Sequence, residues 1–124
     1  MANTSSLSIE YWQLNANCSP VFDFIQKVEP EHAQAKIQLT IRLLGDMGMR
    51  LLTNPKQFKK ITGYNNLYEL RISWGKTGYR ILVVVRTSTA YLVHAFKKQK
   101  RNELKHIRIG VKRRDTIMNY SMAN

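Results

Sequence analysis

After Asn66 the spacing of apolar residues changes from a period of about 3.6, which is typical of helices, to a period of about 2, which is typical of strands. Before the change, a short segment at residues 7–14 predicts one strand. Ser19 and Pro20 then form a pair that is typical of the start of a helix. A second helix is predicted from about Glu31 to Met47, where neighbouring glycines end it. The first part of the chain therefore predicts a strand followed by two helices.

Three segments in the second part of the chain predict strands: residues 67–74, in which apolar and polar positions alternate, and residues 79–86 and 89–96. The connections between them are too short for a crossover, so the strands should pair antiparallel. From about residue 100 to residue 122 the spacing is helical again. The predicted order is β-α-α-β-β-β-α, an α+β fold in which the helices pack on one face of a small antiparallel or mixed sheet. The opposite face would then be open to water or to a ligand.

The length of the chain suits one domain, so we predict a single domain over residues 1–124. A chain of this length can bury about two thirds of its unfolded surface without a disulfide or a metal. No apolar run approaches the roughly 20 residues of a membrane-spanning helix, and the polar first ten residues lack the pattern of a secretory signal. The single cysteine, Cys18, has no partner for an internal disulfide. We therefore expect a cytoplasmic protein that does not associate with membranes.

The net charge of +12 is distributed unevenly between the two parts of the chain. Residues 1–48 contain three basic and five acidic side chains, whereas residues 49–124 contain 17 basic and three acidic ones. Such a concentration of positive charge is typical of proteins that bind polyanions. The alternative is a solvated basic face that only confers solubility. A charge of this density carries a repulsion that solubility alone does not require, which favours a nucleic-acid partner.

Motifs for metal-dependent or cofactor-dependent chemistry are missing from the sequence. There is no glycine-rich phosphate loop and no signature of a serine nucleophile. Cys18 and the three histidines, His32, His94 and His106, do not have the spacing of metal ligands. Carboxylates are scarce in the basic part, which argues against a magnesium-dependent nuclease. We therefore expect no metal and no cofactor, and any reaction must be carried by basic side chains.

One reaction is compatible with such an inventory, because RNA contains its own nucleophile in the 2′-hydroxyl group. An enzyme must take the proton of that hydroxyl, neutralise the charge on the phosphorane and protonate the leaving 5′-oxygen. Arginine and lysine suit the neutralisation, and histidine suits proton transfer near neutral pH. A cluster of basic residues on a sheet could therefore supply all the groups that this cleavage of RNA needs. Such a cluster is not specific for this reaction.

The strands supply candidates for that cluster. Arg71 lies on the polar face of its strand, and a hairpin through residues 75–78 would place Arg80 beside it on the same face. Two adjacent like charges favour an anion bound between them. The alternative is two separately solvated arginines, with Glu69 as a candidate partner. His94 near the end of the third strand is a candidate for proton transfer, and a structural role is its alternative.

Six segments and a basic terminal helix occur in a distinctive order and spacing between Val21 and Tyr120. The segments are VFDFI (21–25), LLGDMG (43–48), NPKQFKKI (54–61), LYELRI (67–72), GYRILVVV (78–85) and LVHAFKKQKR (92–101). This series, above all YELR, GYR and HAFKK, resembles the HigB branch of the RelE superfamily of toxins. The resemblance implies a compact α+β fold and the toxin of a type II toxin–antitoxin system. It further implies a metal-independent, ribosome-dependent mRNA endoribonuclease, an mRNA interferase that inhibits translation.

The resemblance also implies partners and roles for particular residues. The partners would be the ribosome with its mRNA and a cognate antitoxin in a hetero-oligomeric complex. Arg71 and Arg80 match the arginines that contact the scissile phosphate. The basic pair after the last strand is matched by Lys97 and Lys98, and a frequent histidine in that strand by His94. Some relatives use a tyrosine or an acidic residue near the last helix for proton transfer. The candidates here, His106 and Tyr120, qualify only by their position, so the general base and acid stay open.

Further basic residues are expected to contact the RNA backbone. Two lie in the basic connector at residues 49–66, and four lie around the start of the terminal helix: Lys59, Lys60, Lys100, Arg101, Lys105 and Arg108. Two other functions stay open as alternatives. One is a toxin of the same fold with another target, such as DNA gyrase, which would not need the arginine and lysine set. The other is a non-enzymatic basic domain that binds RNA or DNA, although no recognition module for either is present.

Overall fold

The computed structural model describes residues 6–101 and 103–123, with side chains described as far as residue 119. Over these residues it has eight helices and strands, and a 3₁₀ turn, Gly48–Thr53, between α2 and β2. In chain order they are β1 (Ser8–Tyr11), α1 (Pro20–Gln26), α2 (Glu31–Met47), β2 (Phe58–Lys60), β3 (Leu67–Trp74), β4 (Thr77–Arg86), β5 (Thr89–Lys97) and α3 (Glu103–Ala123). The predicted α+β class is confirmed, and the single-domain organisation stays a prediction.

The five strands form one mixed sheet in the order β1-β5-β4-β3-β2. β1 runs parallel to β5, and the other neighbouring strands are antiparallel. The strand β2 was expected to be part of a connector. It forms because Phe58, which is fully buried, lies opposite Leu70 and anchors the edge of the sheet. Three residues with one apolar side chain show no periodicity, so the sequence pattern could not indicate this strand.

The helices lie on both faces of the sheet, and not on one face as expected. α1 and α2 pack on the face that presents Ile81 and Val83, and α3 packs on the face that presents Leu82 and Val84. The reason is visible in β4, where every residue from Tyr79 to Val85 is buried and the five from Ile81 to Val85 are all apolar. A continuous apolar run of this kind is typical of a strand that is covered on both faces.

α3 approaches the sheet closely at one glycine. A Cβ atom at Gly110 would lie 2.7 Å from Cδ1 of Leu82, closer than real Cβ contacts come. Arg114 fixes the helix further along, because its Nη1 donates to the carbonyl of Asn65 at 3.0 Å. This packing leaves the end of the sheet near the β3–β4 turn as the part where polar side chains collect. Over residues 6–101 and 103–123, no helix is both long enough and apolar enough to cross a membrane.

Candidate functional site

The β3–β4 hairpin places Arg71 and Arg80 directly opposite each other. This confirms the pairing that was expected from the alternation of apolar and polar residues. Both arginines lie on the α3 face, because Leu82, two residues after Arg80, belongs to the core beneath α3. The turn is tight enough to fix this register over the whole length of β3. Two guanidinium groups are therefore neighbours near the hairpin end of the sheet.

A buried carboxylate lies beneath the two arginines. Glu69 is 3% exposed, and its Oε1 accepts a hydrogen bond from Nε of Arg71 at 2.7 Å. The same oxygen lies 3.8 Å from Nε of Arg80. Glu69, which the sequence indicated as a candidate partner of the arginines, thus does form an ion pair with them. Glu69 neutralises one of the two positive charges, so the group formed by Glu69, Arg71 and Arg80 keeps a net charge of +1.

Arg80 is the more buried of the two arginines. Its Nη1 donates to the carbonyl of Tyr79 at 3.1 Å, while its Nε is buried and has no hydrogen-bond partner among the described residues. Burial lowers the pKa of Arg80; Glu69 opposes this shift, and Arg71 adds to it. A buried N–H without a hydrogen bond is costly, and the ion pair with the carboxylate of Glu69 offsets part of that cost. Because Glu69 and the two arginines together keep a net charge of +1 and Arg71 is partly exposed, the arginine pair is a candidate anion site.

Gly78 makes room for the buried guanidinium group. A Cβ atom at this position would lie 3.2 Å from Nη1 of Arg80 and 3.5 Å from Cβ of Lys98. The space over Gly78 is thus shared by two basic side chains. The sequence motif GYR points to this glycine, but the reason for it is a contact within the folded sheet.

Two histidines come into contact next to the arginine pair. Nε2 of His94 lies 2.7 Å from Nδ1 of His106, and the ring of His106 is stacked flat on Phe96 at 3.9 Å between centroids. Burial lowers the pKa of His94 to about 4, and the neighbouring His106 and Arg113 add to this. Burial also lowers the pKa of His106, with a further contribution from Lys105. Both imidazoles are therefore neutral near pH 7, and one must donate its N–H to the other.

Lys97, the last residue of β5, and Lys98, which follows it, lie on opposite sides of the sheet. Lys98 donates its backbone N–H to the carbonyl of Gly78 at 2.8 Å, and its side chain begins beside Arg80. Lys97 lies opposite Tyr79 and lines cavities together with Phe24 of α1. Successive side chains of a strand point to opposite faces, which explains the separation. The expected basic pair is thus divided, and only Lys98 joins the arginines.

The residues expected to bind the RNA backbone are distributed over both faces. Lys59 lies opposite Glu69 on the face of the arginines, whereas Lys60 lies opposite Tyr68 on the other face. The structure therefore does not bring Lys60 to the site. The other four are exposed between β5 and α3 or on the first turns of α3: Lys100, Arg101, Lys105 and Arg108.

Some features of the site were missed or only partly identified in the sequence. Glu69 was identified only as a candidate partner of the arginines. Its position two residues before Arg71, on the same face of the strand, is the sequence feature that indicates this contact. The negative charge of Glu103, at the start of α3, raises the pKa of Arg80 and so opposes the effect of burial. The side chain of Tyr120, one candidate for proton transfer, is outside the described residues. Across the residues that the structure describes, no three His, Cys, Asp or Glu side chains are grouped so that they could hold a metal ion.

A family model for phage-derived Gp49-like proteins matches residues 23–115 of this chain. The chain belongs to the Gp49-like family. Gp49-like proteins are associated with toxin–antitoxin systems. The Gp49-like segment begins in α1, ends in α3 and contains Arg71, Arg80, His94 and His106. Searches of curated proteins and of solved structures returned no match.

Proposed function

We propose that this Gp49-like protein is the toxin of a type II toxin–antitoxin system and that it cleaves mRNA on the ribosome without a metal ion. The observation that carries the proposal is the arginine pair: Arg71 is partly exposed, Arg80 lies directly opposite it, and the two share the carboxylate of Glu69. The resemblance of the chain to HigB and RelE toxins adds the ribosome and mRNA as partners. The protein would thus inhibit translation as an endoribonuclease.

The arginine pair would bind the scissile phosphate. Arginine can donate two parallel hydrogen bonds to phosphate oxygens. Glu69 holds Arg71 through a 2.7 Å hydrogen bond, so this donor is oriented before RNA binds. Donors that are already in place stabilise the charge of the phosphorane with little reorganisation.

The histidine pair would take the proton of the 2′-hydroxyl group. If His106 donates its Nδ1–H to Nε2 of His94, the free lone pair is on Nε2 of His106. The lowered pKa of His106 keeps this base neutral near pH 7. Lys98, whose side chain begins beside Arg80, would protonate the leaving 5′-oxygen. The reaction breaks the P–O5′ bond and forms a bond from the 2′-oxygen to phosphorus.

The partner that keeps the toxin inactive would be an antitoxin with an acidic segment. The 17 basic side chains of residues 49–124 require neutralisation, and a segment that covers them also excludes RNA. A complex whose contacts lie only on residues 1–48 would contradict this part of the proposal.

Expression without the antitoxin tests the function directly. We expect an arrest of translation and growth, and primer extension should show cuts inside translated codons. The control is the same RNA without ribosomes, which should stay uncut. Equal cleavage of ribosome-free RNA would contradict ribosome dependence. DNA breaks without RNA cuts would instead favour a target such as gyrase.

A further inference from the structure

A cavity of about 380 Å³ lies next to the candidate site, at the edge of β5. It exists because β1 pairs with β5 only from Thr89 to Leu92. Beyond Leu92 this edge of the sheet is left uncovered by β1. An uncovered strand edge presents backbone N–H and C=O groups that can bind a ligand. The cavity thus opens at a part of the β5 edge that β1 does not cover.

Aromatic rings stand on both sides of this cavity. Phe24 of α1 forms one wall and packs edge-on against Tyr79, with 6.5 Å between centroids. His106 of α3 forms the other wall and is held parallel to Phe96 within 3°. Both rings are therefore fixed by their packing. Rings of this kind provide surfaces on which a flat nucleobase can stack.

Polar side chains complete the lining. The amide of Gln99 can donate and accept hydrogen bonds, as recognition of a base edge requires. Lys97 and Lys105 place two positive charges beside the rings. An apolar ligand would leave these groups unpaired, and a simple anion would leave the rings unused. A nucleotide uses both.

The cavity is one strand away from the arginine pair, because Phe96 lies directly opposite Arg80. Opposite residues of neighbouring strands are about 5 Å apart, so a nucleotide joined to a phosphate on the arginines can reach the cavity. We propose that the cavity binds the base of the nucleotide next to the scissile phosphate and contributes to sequence preference. This inference rests on the proposed function for its substrate, RNA. It also gives Lys97 a role on the side of the sheet where the structure places it.

Titration with nucleotides tests the inference without ribosomes. The probes are the four nucleoside 5′-monophosphates, with inorganic phosphate as the reference for charge alone, at one ionic strength. We expect at least one nucleotide to bind about ten-fold more tightly than inorganic phosphate, as stacking on aromatic side chains provides. NMR signals of His106 and Phe24 should shift in that titration. Affinities equal to that of inorganic phosphate for all four nucleotides would overturn the inference.

Two variants and one control locate the binding. Phe24→Leu removes the ring but keeps an apolar side chain against the core, and Gln99→Ala changes an exposed residue. Both should lose most of the discrimination between bases while their affinity for inorganic phosphate stays the same. Gln38→Ala, an exposed position on α2, should behave as the unchanged protein does. Full discrimination in both Phe24→Leu and Gln99→Ala would also overturn the inference.

The result can be separated from the test of the proposed function. A protein that discriminates between bases but leaves mRNA uncut on ribosomes supports the cavity and contradicts the nuclease. A protein that cuts mRNA but binds every nucleotide as it binds inorganic phosphate supports the nuclease and overturns the cavity.

Discussion

Arg80 is held in a buried position by its neighbours on the strands. The carbonyl of Tyr79 accepts a hydrogen bond from Nη1, and Oε1 of Glu69 lies 3.8 Å from Nε. Gly78 leaves the space in which the guanidinium group lies. The buried Nε–H makes no hydrogen bond with the described residues, so the ion pair with Glu69 is what offsets part of the cost of burying this charge.

Arg80→Ala should therefore reduce cleavage by about 10²- to 10³-fold, the usual loss when one donor to a transition-state charge is removed. Arg80→Lys should also be strongly impaired, because lysine keeps the charge but lacks the planar two-pronged geometry. Single-turnover cleavage on programmed ribosomes measures both, with circular dichroism to verify folding. Arg86→Ala, at the far end of β4, is the control and should change little. A folded Arg80→Ala protein that cleaves within a few-fold of the unchanged protein would make Arg80 structural.

The lowered pKa of His94 links stability to pH. The pKa of about 4 in the folded protein is below the usual 6.5, so the unfolded chain binds a proton more readily. The stability that follows from this difference in pKa is fully present above pH 6.5 and is lost as the pH falls toward 4. Urea denaturation should show a smaller free energy of unfolding at pH 4.5 than at pH 7, and His94→Gln should reduce that difference. An unchanged difference in His94→Gln would assign the pH dependence to other groups.

At the scale of elements, α3 is positioned by close packing on β4. Leu82 and Val84 of β4 form the core beneath it, together with Ile107 and Val111 of the helix. At Gly110 the helix lies so close to Leu82 that a Cβ atom would be 2.7 Å from its Cδ1. The same packing brings the first turns of α3, and with them His106, to His94. The geometry of the histidine pair thus depends on how closely the helix lies on the sheet.

Gly110→Ala tests this contact. Alanine would ordinarily favour a helix by up to about 1 kcal/mol, but here its Cβ would meet Leu82 at 2.7 Å. We expect the overpacking to dominate and to lower the free energy of unfolding by about 1–3 kcal/mol. Shortening the opposing side chain in Gly110→Ala with Leu82→Val should recover part of the loss. A single Gly110→Ala variant that is more stable in urea than the unchanged protein would show that α3 can move away at little cost.

At the scale of the whole molecule, charge is divided between the two parts of the chain. Residues 49–124 supply β2 to β5, α3 and the segments that connect them, so 17 of the 20 basic side chains belong to this part of the fold. Exposed members of this set lie between β5 and α3 and on the first turns of α3, close in sequence to the histidine of the site. A polyanion would therefore be attracted toward the end of the sheet that holds the arginines.

Affinity for single-stranded RNA should consequently fall steeply with salt. If about six phosphates are neutralised, the logarithm of affinity should fall against the logarithm of salt concentration with a slope of about −4. Lys100→Ala should reduce the slope by less than about one unit, because it removes one contact. Arg42→Ala, an exposed change on α2 in the acidic part, should leave the slope unchanged. An affinity indifferent to salt would remove the electrostatic argument for an RNA partner.

What the sequence by itself determined are the features that depend on neighbours along the chain. The alternation in β3 and the short turn between β3 and β4 specify that Arg71 lies beside Arg80, because strand period and hairpin register are local properties. The strands β3 to β5 and the three helices follow from periodicity in the same way. The uneven distribution of charge is also independent of the fold.

Only the tertiary structure decided which elements cover which faces. Periodicity marks an apolar face but does not identify its neighbour, so the packing of α3 opposite to α1 and α2 was not foreseen. The contact of His94 with His106, twelve residues away, depends on that packing. So does the cavity between Phe24 and His106, whose walls come from helices on opposite faces of the sheet. Such contacts arise when separate apolar faces are buried together, and that burial is a property of the whole folded chain.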